Sequence, residues 1–138
     1  MHYLNDRKIL EVSGIDTINF LQNLITNDLS EIKKRKIIHT FLLNNKGKIL
    51  FEFYIHDVND RVLIDVNEQS VDDLLSHLIS YKLRSKIDIS IKNEYAVFWS
   101  ETNTKYTSDP RNAKIGLRGI EPKKQISSED YTNNFDNI

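Results

Sequence analysis

The chain has 138 residues, a formal net charge of -1, 39% hydrophobic and 28% charged residues, which suits one domain with a real core and gives no whole-molecule field for nucleic acid or an anionic membrane. It contains no Cys, which excludes disulfides, thiolate metal sites and a thiol nucleophile, and which fits a cytoplasmic protein. No apolar run approaches the roughly 18–20 residues of a membrane-spanning helix, and the first residues lack a signal-peptide core.

A short polar turn, Asn5-Asp6-Arg7, precedes a strand over Lys8–Val12. Ser13, Gly14 and Asp16 supply turn and N-cap chemistry for a helix from about Asp16 to Leu29. Ile18, Leu21, Leu24 and Ile25 recur at helical spacing, with Phe20 widening the stripe and Asn19, Gln22, Asn23 and Asn27 opposite it. The basic run Lys33-Lys34-Arg35-Lys36 reads as a solvated linker, since a nucleic-acid site wants a larger basic face interleaved with aromatics.

Ile37–Leu43 is a second strand, and Asn44-Asn45-Lys46-Gly47 is a hairpin signal because Asn and Gly tolerate positive φ. In the strand over 48–56, Ile49, Phe51, Phe53 and Ile55 share a core face, while Leu50, Glu52, Tyr54 and His56 share a mixed one. A fourth strand spans Arg61–Val66. A helix follows over Val71–Leu83, with Ser70 as N-cap, Asp72 and Asp73 in its first turn, Lys82 and Arg84 at its last, and a stripe of Val71, Leu74, Leu75, Leu78 and Ile79. Ile87, Ile89 and Ile91 alternate as a half-exposed strand, and Tyr95–Ser100 is a sixth. The order β-α-β-β-β-α-β-β, with hairpin-length turns, predicts an α+β domain: a mainly antiparallel sheet with two helices packed on it. It occupies residues 1–100. Residues 101–138 read as a polar, partly disordered C-terminal extension with room for one short strand over Lys114–Ile120.

Among His2, His39, His56 and His77 there is no metal-ligand spacing, so no metal site is expected. His77 reads as a surface helix residue and His56 as a strand end. His39, in an otherwise apolar strand, is more a half-buried strand residue than a ligand or base. Glu52 stands out, because a carboxylate among Leu50, Phe51, Phe53 and Tyr54 would be costly if buried alone. It either faces solvent, which alternation favours, or lines a cleft. No nucleophile stands out, and the aromatic residues fall at strand spacing, as core.

Gly14 followed by Phe20–Asp28 (FLQNLITND) resembles the folate-binding family of the glycine-cleavage aminomethyltransferase (T-protein) and the YgfZ-type iron–sulfur cluster maintenance proteins. The resemblance continues through Thr40–Ile49 (TFLLNNKGKI), Tyr81–Lys86, Asp109-Pro110-Arg111 and Ile115–Arg118. It implies a tetrahydrofolate as cofactor, held in the central channel of a three-lobed protein. The family's acidic pair after the hairpin glycine falls on Phe51-Glu52, its tyrosine near the folate on His39, and its folate-contacting asparagine on Asn67. Glu52, Asn67 and His39 are therefore the candidate folate contacts, with no catalytic residue assigned.

The YgfZ signature K-G-C-Y-x-G-Q-E is absent, so the resemblance covers only the family's N-terminal part. The expectation is a truncated YgfZ-like protein related to iron–sulfur cluster assembly. It would be non-catalytic alone and would bind folate weakly or with a partner that supplies the missing lobes. The alternatives are one-carbon transfer of the T-protein kind, and a ligand-free interaction module that buries its exposed sheet in a homodimer.

Overall fold

The computed structural model describes residues 2–103 and 105–123. Its elements are β1 (His2–Leu4), β2 (Arg7–Ser13), α1 (Thr17–Gln22), α2 (Ile32–Arg35), β3 (Ile37–Leu43), β4 (Ile49–Val58), β5 (Arg61–Asn67), α3 (Val71–Lys82), β6 (Asp88–Ile91), β7 (Tyr95–Ser100), β8 (Thr107–Ser108), a 3₁₀ turn (Ala113–Ile115) and β9 (Leu117–Pro122). They form an α+β protein whose paired strands are all antiparallel among the described residues.

There are two sheets rather than one. The larger has the order β3-β4-β5-β2-β6 and the smaller β1-β7-β9-β8. The reason lies in β7. Ala96, Val97, Phe98, Trp99 and Ser100 are all buried, and a strand apolar on both faces needs cover on both. It therefore sits inside a second sheet, between β1 and β9.

The strand alternation of the larger sheet decides what packs on each face. On one face Leu10, Val12, Ile38, Leu42, Phe53, Ile55, Ile64 and Val66 meet Phe20, Leu21 and Ile32 of the first two helices and Val71, Leu74 and Leu78 of α3. On the other, Ile9 and Leu63 meet Leu4, Val97, Trp99 and Ile120 of the smaller sheet. The outer face of the smaller sheet packs Ala96 and Phe98 against Tyr106.

The first helix stops at Gln22, well short of Leu29, because the next residues have better partners elsewhere. Gln22 donates from Nε2 to the Asn27 carbonyl (2.8 Å) and accepts the Leu29 amide (2.6 Å). Asn27 donates to the His39 carbonyl (2.9 Å), and the Thr26 amide donates to the Phe41 carbonyl (3.0 Å). Ile25 forms a β-bridge with Leu42. The segment 25–27 is thus laid along β3. Ile18 and Ile79, both expected in buried stripes, are 38% and 50% exposed.

Gly14 is required by geometry. Its φ is +121°, and a Cβ there would lie 2.3 Å from the Lys86 carbonyl oxygen. Asp16 does not cap its own helix; its Oδ2 accepts the Lys86 amide at 2.7 Å, pinning the chain that leads into β6. The basic residues Lys33, Lys34 and Arg35 form the exposed side of α2, Ile32 its buried one, and left-handed Lys36 ends it.

Within residues 101–138, Thr107–Ser108 and Leu117–Pro122 add two strands to the smaller sheet. The remainder of the expected extension, 124–138, lies outside the described residues.

Candidate functional site

The face of the larger sheet opposite the helices is only partly covered by the smaller sheet. Along β4 this face carries Leu50, Glu52, Tyr54, His56 and Val58 in succession. Glu52 is exposed, whereas Tyr54 and His56 are buried. A polar site follows the border of the covered area.

At the open end, His39 and Glu52 come together. The β3–β4 hairpin sets Phe41 opposite Glu52 and His39 opposite Tyr54, so His39 and Glu52 are diagonal neighbours on one face. His39 Nε2 lies 2.7 Å from Glu52 Oε2, with the Glu52 side chain 57% exposed. The His39 ring also contacts Phe41 and Tyr54, with centroids 5.0 and 5.1 Å away. Asn67 ends β5 one residue beyond the Phe53–Val66 pair, on the alternation parity of Asp65. Its Oδ1 accepts the Gln69 amide at 2.8 Å, which leaves the carboxamide N–H groups for another partner. The structure thus joins His39 to Glu52 directly and sets Asn67 at the end of the neighbouring strand.

Next to them is a charged cluster that the sequence reading did not single out. Asp65 is fully buried and accepts Arg7 Nε at 2.7 Å, Arg118 Nε at 2.8 Å and His56 Nε2 at 2.9 Å. Burial disfavours its charge, but the Arg118 and Arg7 guanidiniums and the His56 hydrogen bond prevail, holding its carboxyl well below the usual range. His56, read as a strand end, lies inside β4. Burial pushes its imidazole below its ordinary value, so it is neutral and donates from Nε2 to Asp65.

Three guanidiniums surround the Tyr54 ring, with Arg118, Arg111 and Arg7 at 4.1, 5.2 and 5.6 Å from its centroid. Burial pushes the Tyr54 phenol up to about 12. Its hydroxyl and Arg118 Nη1 are buried without a hydrogen-bond partner among the described residues. Arg111 is held by Asp109 through Nη2–Oδ2 (2.9 Å) and Nε–Oδ1 (3.1 Å). The available signals were the DPR triplet and Asp65 itself, an acid set among Leu63, Ile64 and Val66 much as Glu52 is among its neighbours.

Among the described residues no group of three or more His, Cys, Asp or Glu is placed to hold a metal ion. No helix among them is long and apolar enough to cross a membrane.

The architecture is that of a known class. The chain superimposes on the glycine cleavage system aminomethyltransferase T from Bartonella henselae with a TM-score of 0.62 and 16% identity, over 70% of this chain and 27% of that one. It therefore has the fold of that part of aminomethyltransferase T.

In sequence it is 28% identical over 137 residues to an iron–sulfur cluster assembly factor IBA57 homolog, mitochondrial, of Mycosarcoma maydis, covering 83% of this chain and 34% of the relative. It is 36% identical over 64 residues to an aminomethyltransferase of Thermoanaerobacter pseudethanolicus, covering 46% of this chain and 17% of that protein. No family model matches. The chain is a homologue of the IBA57 proteins, consistent with the N-terminal part of the YgfZ/T-protein family, and it spans about a third of the M. maydis relative's length.

Proposed function

We propose that this chain serves iron–sulfur cluster assembly as its IBA57 relatives are named to do, and that it holds a reduced folate against the His39–Glu52 end of the larger sheet. The observation that carries the reading is the Glu52 carboxylate, oriented by His39 at 2.7 Å and open to solvent on one side. A pterin ring presents adjacent N–H donors, and a carboxylate with one oxygen already fixed is a suitable acceptor for them. Phe41 and the exposed Leu50 beside it supply apolar surface for the ring, so the residues fit a folate. Asn67 would meet a polar edge. A bound tetrahydrofolate would supply a one-carbon carrier; the chain's own residues bind and orient it, and none acts on it chemically.

Calorimetric titration with a reduced folate under oxygen exclusion tests this. Saturable binding is expected, weakened about tenfold or more by Glu52→Gln, the effect of removing one charge-assisted hydrogen bond. Absence of heat and of any thermal shift overturns the folate site.

A second reading, an interaction module, is favoured by the exposure of Leu43, Ile49 and Leu50 at 37%, 59% and 43% around the β3–β4 hairpin. Light scattering over a concentration series separates a homodimer from a monomeric binder, and adding the remaining length of an IBA57 relative tests a partner that completes the site. We keep a cytoplasmic location as part of the proposal. The M. maydis relative carries "mitochondrial" in its name, and fractionation of a tagged chain decides between the two.

A further inference from the structure

β6 is the last strand of the larger sheet beyond β2, and no strand pairs with its other side among the described residues. The direction of its backbone groups follows from its register. Ser90 stands opposite Glu11, and one step further the Lys92 amide donates to the Ile9 carbonyl at 2.8 Å. Bonded and non-bonded pairs alternate along an antiparallel ladder, so Asp88 and Ser90 bond to β2 as Lys92 does, while Ile89 and Ile91 turn their N–H and C=O groups away from it. The strand holds no Pro, and its pairing with β2 has no bulge to stop further pairing.

This stretch is complementary to itself. Laid antiparallel on its own copy about Ser90, it sets Asp88 opposite Lys92 and Ile89 opposite Ile91. The backbone phase agrees: Ile89 and Ile91 exchange their outward bonds, and Asp88 with Lys92 falls at a non-bonded pair, where side chains are closest. The neighbouring registers of the same phase fail on charge. About Ile89, Lys86 meets Lys92; about Ile91, Asp88 meets Glu94. Asp88 is exposed and has no ion pair among the described residues, and Lys92 has a 3.8 Å contact with Glu11, which already holds Arg61 at 2.8 Å.

Apolar surface overhangs the same side. α3 packs on β2 and β6. Its His77 touches Phe51 of β4, with ring centroids 5.6 Å apart, so Leu75 and Ile79, on the opposite flank at about 100° per residue, face the β6 side. Ile79 is 50% exposed there. A two-fold axis perpendicular to the sheet keeps both copies of α3 on one face and brings these flanks together.

We propose that β6 pairs with β6 of a second copy of this chain about a two-fold axis at Ser90, joining the two larger sheets into one. The contact lies across the sheet from the β3–β4 hairpin and does not rest on the folate reading.

The chain has no Cys, so Ser90→Cys places a single thiol against its own copy, at the Cα separation of about 4.5 Å of a non-bonded pair and within reach of a disulfide. Mild oxidation of the full chain is expected to give a covalent dimer from Ser90→Cys and little from Asp88→Cys, whose copies stand about 13 Å apart. Analytical ultracentrifugation over a concentration series is expected to show the parent dimerising and Asp88→Lys weakened about tenfold or more, because the axis repeats the altered pair. Asp88→Lys combined with Lys92→Asp should recover the dimer, with circular dichroism confirming that each variant is folded. Glu52→Gln should leave the dimer intact and Asp88→Lys should leave folate binding intact, so the two failures are distinguishable. A monomer at every concentration, equal cross-linking at both positions, or a dimer indifferent to Asp88→Lys overturns the proposal.

Discussion

Arg118 of β9 grips Asp65 of β5 from 53 positions away in sequence, through Nε–Oδ2 at 2.8 Å and Nη2–Oδ1 at 3.2 Å, joining the two sheets inside the molecule. Both side chains are essentially sealed from water, at 1% and 0% exposure. Removing the acid leaves two guanidiniums without their counter-charge, whereas removing Arg118 leaves Asp65 still paired with Arg7. Asp65→Asn is therefore expected to destabilise the chain by about 3–5 kcal/mol, and Arg118→Met by clearly less. Urea unfolding of the two variants side by side checks the order; equal losses would contradict it.

His56 makes stability depend on pH near neutrality. Burial lowers its folded pKa below the ordinary 6.5, so the native state binds fewer protons than the unfolded chain. Stability then rises with pH across the window below about 6.5, and is lost as pH falls through it. Of the groups facing the ring, Asp65 is held low and Arg118 high, so both keep their charges throughout that window. Asp65 and Asp109, held low in the native state, add a second loss only below about pH 3.8. Melting temperatures between about pH 5 and 7.5 should fall toward acid in the parent and flatten in His56→Gln, whose amide can still donate to Asp65.

The Tyr54 hydroxyl is buried without a partner among the described residues, so deleting it removes a desolvated group and little else. Tyr54→Phe is expected to be neutral or to gain up to about 1 kcal/mol. The ultraviolet titration should in parallel lose a phenol ionising at about 12. A marked loss of stability would mean that the hydroxyl has a partner after all.

Gly14 admits no side chain. With φ at +121° and the Lys86 carbonyl 2.3 Å from where a Cβ would stand, Gly14→Ala must displace the chain leading into β6. A loss of about 1–3 kcal/mol is expected from the strained backbone alone. Amide exchange should locate the loosening at β6 and its pairing with β2, and uniform protection would argue against the mechanism.

Much of the fold was legible because its signals are local. Ile37–Leu43 is a strand to the residue, since an apolar run sits between a basic segment and an Asn-Gly turn. That turn also sets the register that brings Glu52 beside His39. The end of the first helix was not legible. The periodicity of Leu24 and Ile25 is helical, but the Thr26 amide and the Asn27 side chain find partners on β3, a strand whose position only the tertiary fold supplies. Asp65 and Arg118 were hidden for the same reason. No spacing announces a contact across 53 residues, although an acid in the middle of an apolar strand already called for a buried cation.

The laying of residues 25–27 along β3 bears on solubility. β3 is the last strand on its side of the larger sheet, and an open edge of this kind recruits strands from other molecules. The Ile25–Leu42 bridge and the Thr26 amide on Phe41 occupy the place an intruder would take. The polar residues that end the first helix therefore double as an edge guard. A chain altered at Gln22 or Asn27 would keep its hydrophobic core and fail by sticking to its own copies rather than by unfolding.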